Sequence, residues 1–144
     1  MAEAKTWVLT DQATRVWVDS IEIGPDDLGL ADEGWSIRKT TLRGGPSDGV
    51  DIIEVDNGAL SFSVLPTRGM GIWKGAYKGL DLAWNSPVKG PVHPSLIDLQ
   101  DRGGLGWLAG FDEVVVRCGL DSMGAPGTDV VPNNMGVPSE VALT

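Results

Sequence analysis

The sequence predicts a mainly β protein made of antiparallel sheets, with one short, interrupted helix. Three observations carry this. Apolar and polar residues alternate at period two through several stretches, as in strands with one face buried. Gly at 20 and Pro at 9 of 144 residues demand many turns and short elements, yet stay below the share of a disordered chain. An Asn-Gly pair, Asn57-Gly58, separates two alternating runs, a strong local hairpin signal.

Taken in order, residues 5–23 alternate through Trp7, Leu9, Val16, Val18, Ile21 and Ile23 and read as strand. Residues 24–34 are polar and Gly-rich, hence a loop. Trp35, Ile37, Lys39 and Thr41 mark a further strand, and residues 43–49 (RGGPSDG) a turn. Val50 to Val55 and Leu60 to Val64 form the hairpin, with positive φ expected at both Asn57 and Gly58 and with Leu60, Phe62 and Val64 facing the core. Residues 66–71 make a tight connection. Ile72–Tyr77 and Leu80–Trp84 are two short strands about a Lys78-Gly79 turn. Three prolines keep residues 85–94 out of a helix. Pro94 suits the first position of a helical segment from about Ser95, which Gly103-Gly104 splits. Val114–Cys118 reads as a buried strand, residues 121–139 as a loop, and Glu140–Thr144 as the opening of another strand with an unpaired edge.

Composition excludes several functions. A formal net charge of −9 repels a polyanion, so nucleic acid is not the expected partner. One cysteine, Cys118, rules out an internal disulfide framework and a Cys-rich zinc site; it reads as a small buried residue. One histidine, His93, rules out a metal site built on two or three histidines. No run of 18 apolar residues and no signal-like N-terminus occur, so neither a membrane span nor export is expected, and the expected compartment is the cytoplasm. The clusters Gly69-Gly71-Gly75 and Gly104-Gly106-Gly110 lack the spacing and βαβ context of a dinucleotide loop. Gly45-Pro-Ser-Asp-Gly49 has the letters of a nucleophile elbow, but a strand follows where a helix is needed, so it reads as a turn.

Five residues are candidates for a ligand site. Arg68 sits in a constrained turn at a strand end, where a cation either meets a ligand hydroxyl or carboxylate or ties down a structural carboxylate or carbonyl. Arg117 lies among apolar neighbours and must point out of the sheet or be paired. His93, before Pro94, is either a positioned hydrogen-bonding residue or an acid–base group. Trp84 with Asn85 opens a loop, and an indole face suits either a sugar C–H surface or a β core. The acidic pairs Asp26-Asp27, Asp32-Glu33 and Asp112-Glu113 are sequence neighbours; on strands they would point to opposite faces and form no catalytic pair.

The words Leu65-Pro-Thr-Arg-Gly-Met-Gly-Ile-Trp73, Gly79-Leu-Asp-Leu-Ala-Trp-Asn-Ser-Pro87, Val92-His-Pro94, Gly106-Trp-Leu108 and Arg117-Cys-Gly-Leu120 resemble the aldose 1-epimerase-like proteins grouped as DUF4432. That group is similar to galactose mutarotases. The resemblance implies a partial galactose-mutarotase-like β-supersandwich, with residues 1–144 a single, incomplete N-terminal portion. It implies a sugar or sugar derivative as ligand and cofactor-free acid–base chemistry, in which a His protonates the ring oxygen and a Glu takes the anomeric proton. A Leu-His-Gly-Arg-like run and the later carboxylate that such a site needs are absent here, so no catalytic residue is assigned. Arg68, His93 and Arg117 lie in the matching words. Half a supersandwich implies uncovered sheet, and hence either a second copy or a complementing chain as partner.

Overall fold

A computed structural model describes residues 4–30, 34–117, 127–132 and 138–143. The first ribbon pairs β1 (Thr10–Asp11) with β2 (Val16–Trp17). The Asp11 carboxylate closes its turn, accepting from Thr14 Oγ1 at 2.7 Å and from the Ala13 N–H at 2.8 Å. Those bonds hold the Asp11 carboxyl below its ordinary value, because they favour the charged form.

Six strands then form one antiparallel meander: β3 (Ile21–Ile23), β4 (Ser36–Thr41), β5 (Asp51–Asp56), β6 (Leu60–Leu65), β7 (Gly71–Tyr77) and β8 (Leu80–Leu82). Each lies beside its sequence neighbour, the arrangement short connections favour. A last ribbon pairs β9 (Gly127–Pro132) with β10 (Pro138–Leu143). Among the described residues no helix is long and apolar enough to cross a membrane.

The hairpin expected at residues 50–65 is present, but its turn differs in detail. Positive φ occurs at Gly58 (82°) and not at Asn57. Asn57 Oδ1 instead accepts from the Ala59 and Leu60 N–H groups at 3.1 and 2.8 Å, so Asn57 caps the strand end and Gly58-Ala59 make the turn. The turn with two left-handed residues is Lys78-Gly79, with φ of 49° and 82° between the paired Tyr77 and Leu80.

One register sets both faces of the sheet. Arg38, Glu54, Ser63 and Lys74 stand in a row across β4–β7. Ile23, Ile37, Val55, Phe62, Gly75 and Leu82 form a row on the opposite face. A bulge interrupts β7: Ser63 pairs with Lys74 and Val64 with Ile72, leaving Trp73 as the extra residue. Trp73 and Lys74 therefore share a face, and Lys74 Nζ lies 4.0 Å from the Trp73 ring centroid. Trp73 joins Leu42 in packing on the buried cluster Val50, Ile52 and Leu65. Leu60, Phe62 and Val64 point away from that cluster and are only partly buried, because the bulge and the β4–β5 loop place the closed core on the other side.

Other expectations need correction. Residues 5–23 form three very short strands rather than one long run. Residues 127–132 and 138–139, expected as loop, are strand, and β10 pairs with β9 along one edge. Val114–Cys118 is not a buried strand: Val115 makes one bridge to Ile72, Val114, Val115 and Val116 are all exposed, and Cys118 lies outside the described residues. The helical segment is more broken than its glycines alone imply. It consists of a 3₁₀ turn at Pro94–Leu96, α1 (Asp101–Gly104) interrupted by left-handed Arg102 and Gly103, and a second 3₁₀ turn at Gly106–Ala109.

Gly75 shows how tightly β6 and β7 approach. A Cβ there would sit 2.6 Å from the Ser61 carbonyl oxygen and 3.3 Å from Phe62 Cβ. Gly75→Ala should therefore lower stability by about 1–3 kcal/mol through overpacking. A urea midpoint shifted down at unchanged slope would confirm it; an unmoved midpoint would refute it.

Candidate functional site

The turn after β6 is where the chain's polar contacts converge. Pro66–Arg68 form a 3₁₀ turn, and Gly69 and Met70 continue it with φ of 67° and 64°. Thr67 Oγ1 accepts the Asp51 N–H at 2.9 Å, tying the turn to β5. Arg68 is thereby aimed at the long segment of residues 83–113.

Arg68 Nε donates to Glu113 Oε1 at 2.5 Å and Nη2 to Glu113 Oε2 at 3.3 Å. Its Nη1 donates to the Val92 carbonyl at 2.8 Å. Glu113 is 2% exposed and also accepts the Asp112 N–H at 3.0 Å. Asp112, equally buried in class, accepts from Trp73 Nε1 at 2.8 Å. Both acids thus face the β6–β7 end. They lie outside any strand, so the alternation expected for neighbouring strand residues does not apply. Close backbone approach makes the pairing possible: a Cβ on Gly71 would meet Glu113 Cγ at 3.2 Å, and one on Gly110 would meet Arg68 Nη1 at 3.1 Å.

The rest of the segment is pinned in the same way. Ser86 Oγ donates to the Phe111 carbonyl, Ser47 Oγ to the Pro91 carbonyl, and the His93 N–H to the Pro46 carbonyl at 2.7 Å. The Gly45–Ser47 turn is therefore a docking point for the proline-rich loop rather than an elbow for a nucleophile.

Beside Arg68 lies an open cleft of about 380 Å³, lined by Thr67, Arg68, Gly69, Pro94, Ile97, Leu99 and Trp107. Arg68 commits three of its five N–H donors to Glu113 and Val92. One N–H on each terminal nitrogen is left for a ligand. Trp107 is 43% exposed, and its ring meets Phe111 edge-on at 5.2 Å. Phe111 also meets Trp84 at 5.4 Å, so the two tryptophans share one aromatic support.

The five sequence candidates fall in different places. Arg68 lines the cleft, and of its two readings the structure displays the structural one: it pairs with a carboxylate and ties down a carbonyl. Trp84 belongs to the aromatic cluster behind the cleft and is exposed. Asn85 is exposed and accepts from Lys89 Nζ at 3.3 Å. His93 follows the carbonyl that Arg68 holds, but its ring is occupied elsewhere. Nδ1 accepts the Ser95 N–H at 3.2 Å, which puts the ring proton of the neutral form on Nε2. The other edge of the ring packs against Gly49. Arg117 is exposed beyond the Ile72–Val115 bridge. Sequence reasoning missed Glu113 as the partner of Arg68, and Trp107 as the cleft's aromatic wall. An acidic pair set between Phe111 and Val114–Val116 was the available signal, since a carboxylate in apolar company needs a cation. Among the described residues no group of His, Cys, Asp and Glu could hold a metal ion.

Residues 47–137 match the family described as a domain of unknown function, DUF4432. The fold superposes on the crystal structure of a "putative aldose 1-epimerase" from Klebsiella pneumoniae subsp. pneumoniae MGH 78578, with a TM-score of 0.80 and 37% identity. The match covers 92% of this chain and 34% of that one, so this chain spans about a third of that protein's length. No curated protein matches.

The ion pair predicts a distinctive stability pattern. Glu113→Gln leaves the Arg68 charge with no counter-ion in a nearly closed site and should cost about 3–5 kcal/mol. Replacing both charges, Arg68→Met with Glu113→Leu, should recover most of that loss. Guanidinium unfolding of the three chains decides; equal stability of Glu113→Gln and wild type would show that the pair contributes nothing.

Proposed function

The chain belongs to the DUF4432 family, and on that premise we propose that it is the carbohydrate-binding portion of an aldose 1-epimerase-like protein, without a complete catalytic site of its own. The observation that carries this reading is the pairing of Arg68 and Trp107 across one cleft.

A sugar presents two kinds of surface. Its hydroxyls accept hydrogen bonds, and Arg68 keeps two N–H donors beyond those given to Glu113 and Val92. Its C–H face is apolar and stacks on an indole, which Trp107 offers. The ion pair with Glu113 fixes the guanidinium before a ligand arrives, so little side-chain entropy is lost on binding. Ile97, Leu99 and Pro94 supply the apolar remainder of the wall.

Interconverting anomers requires a general acid at the ring oxygen and a general base at the anomeric hydroxyl. The cleft lining contains neither a carboxylate nor an imidazole. Glu113 lies outside the lining and already accepts three hydrogen bonds, and His93 is directed toward Gly49 and Ser95. The proposal therefore gives this chain binding and orientation, and leaves both proton transfers to groups outside the cleft. A cytoplasmic setting is part of the same proposal, supported by a sequence with a single cysteine and so no internal disulfide.

Titration with a panel of aldoses and uronates, followed by tryptophan emission and by proton NMR, tests it. A saturable change is expected, and Trp107→Ala should weaken it about tenfold, a loss of about 1.4 kcal/mol. Anomer exchange measured by NMR should stay at the buffer rate. No saturation with any sugar in either readout would overturn the binding reading, and exchange above the buffer rate would overturn the statement about catalysis.

A further inference from the structure

Within the sugar-binding reading above, on which this step rests, the side chains of the Arg68 cleft narrow the kind of sugar. Arg68 keeps two N–H donors after those given to Glu113 and Val92. Thr67 Oγ1 already accepts the Asp51 N–H at 2.9 Å, and its own O–H is left to donate. The polar atom of Trp107 is an indole N–H, again a donor, with no hydrogen-bond partner among the described residues. Gly69, Pro94, Ile97 and Leu99 carry no polar side chain. Side-chain donors are therefore in surplus, and the one ionised group of the lining is a cation.

A neutral hydroxyl suits such a lining poorly. It accepts, but its own proton also needs an acceptor, and the side chains supply only the second lone pair of Thr67 Oγ1. Hydroxyls laid against Pro94, Ile97 and Leu99 would find no partner at all. A carboxylate or an ionised phosphate brings oxygens that accept, and its hydrogen bonds to a guanidinium are roughly twice as strong as neutral ones. Two effects oppose an anion. The chain carries a net charge of −9, and Glu113 already balances Arg68. The first acts at range and is screened beyond about 8 Å at physiological salt. The second is local, yet Glu113 lies outside the lining and leaves the remaining Arg68 donors in place. Direct donation at contact distance outweighs both.

We propose that the cleft selects acidic sugars, whose carboxylate or phosphate oxygens meet the free donors of Arg68 and Thr67 while a C–H face of the ring lies on Trp107. Polarity gathered at one end of the ligand matches a lining that is polar at Thr67 and Arg68 and apolar at Pro94, Ile97 and Leu99. The cleft volume of about 380 Å³ is that of a small-molecule site.

Calorimetric titration of the chain with glucose and galactose, and with the uronate, uronamide and 6-phosphate of each, tests the proposal. In at least one series the uronate or the 6-phosphate should bind about tenfold tighter than the parent sugar. Which of the two does so separates a carboxylate from a phosphate as the anionic group. The uronamide keeps the shape of the uronate without its charge and should bind no better than the parent sugar. Acids that bind no tighter than their parent sugars overturn the proposal and leave sugar binding standing. A uronamide that matches a tightly bound uronate does the same, because shape rather than charge is then recognised. Saturation by none of these compounds overturns the proposal together with the sugar-binding reading.

Discussion

The contact between Arg68 and Glu113 is the one on which the rest of this architecture depends. It joins a turn at the end of β6 to a residue forty-five positions later, and through Val92 it holds the middle of the intervening segment as well. That segment has almost no regular structure, so its backbone cannot satisfy itself through a ladder. Side chains do the work instead: Ser86, Ser47, Asp112 and Arg68 each bind a carbonyl or an indole across it. Loss of one partner of the central charge pair would leave a lone ion there, which is far costlier than the absence of both. The candidate cleft inherits its shape from this arrangement, because the same guanidinium that ties the segment down forms part of its wall.

The sheet contributes a second constraint. A single register cannot serve both a closed core and an open face without some local adjustment, and the bulge at Trp73 provides it. The extra residue turns Trp73 onto the buried cluster, where its indole N–H reaches Asp112, while Ile72 keeps its place on the opposite face. The bulge thus links the core, the acidic pair and the ion pair at one end of the sheet. On the other face the alternation places Ile37, Ile53, Val55, Phe62, Val64 and Ile72 together, beside the Lys39–Asp51 pair.

Much of the fold was legible because it is local. Alternation in β4 to β7 and the two tight turns are written in neighbouring residues, and each hairpin reports its own register. The Asn57-Gly58 detail failed for a local reason too: the asparagine side chain took the turn's donors, shifting the loop by one residue. What was illegible is long-range. Nothing in the run Phe111 to Val116 says that its acidic pair turns inward while its valines stay exposed, since that depends on where Arg68 stands. Strand β9 was hidden by the glycine and prolines at its ends, which mark turns by composition yet here flank a paired ribbon. Of the residues that line the cleft, Arg68 was singled out in the sequence by its position in a constrained turn. Trp107 was one tryptophan among six, and only its packing on Phe111 distinguishes it.

The proposed division between holding a sugar and transforming it rests on the same contacts. A carboxylate serves as a general base when its lone pairs are free and its charged form is not over-stabilised. Glu113 is the reverse: it is buried, neutralised by a guanidinium and bonded by a backbone N–H. That environment supplies rigidity, because a fully paired carboxylate fixes the orientation of its partner. Arg68 then presents its remaining donors in a set geometry to whatever lies in the cleft. On the proposed reading, a group so committed orients a bound sugar, and both proton transfers fall to side chains beyond the Arg68–Trp107 cleft.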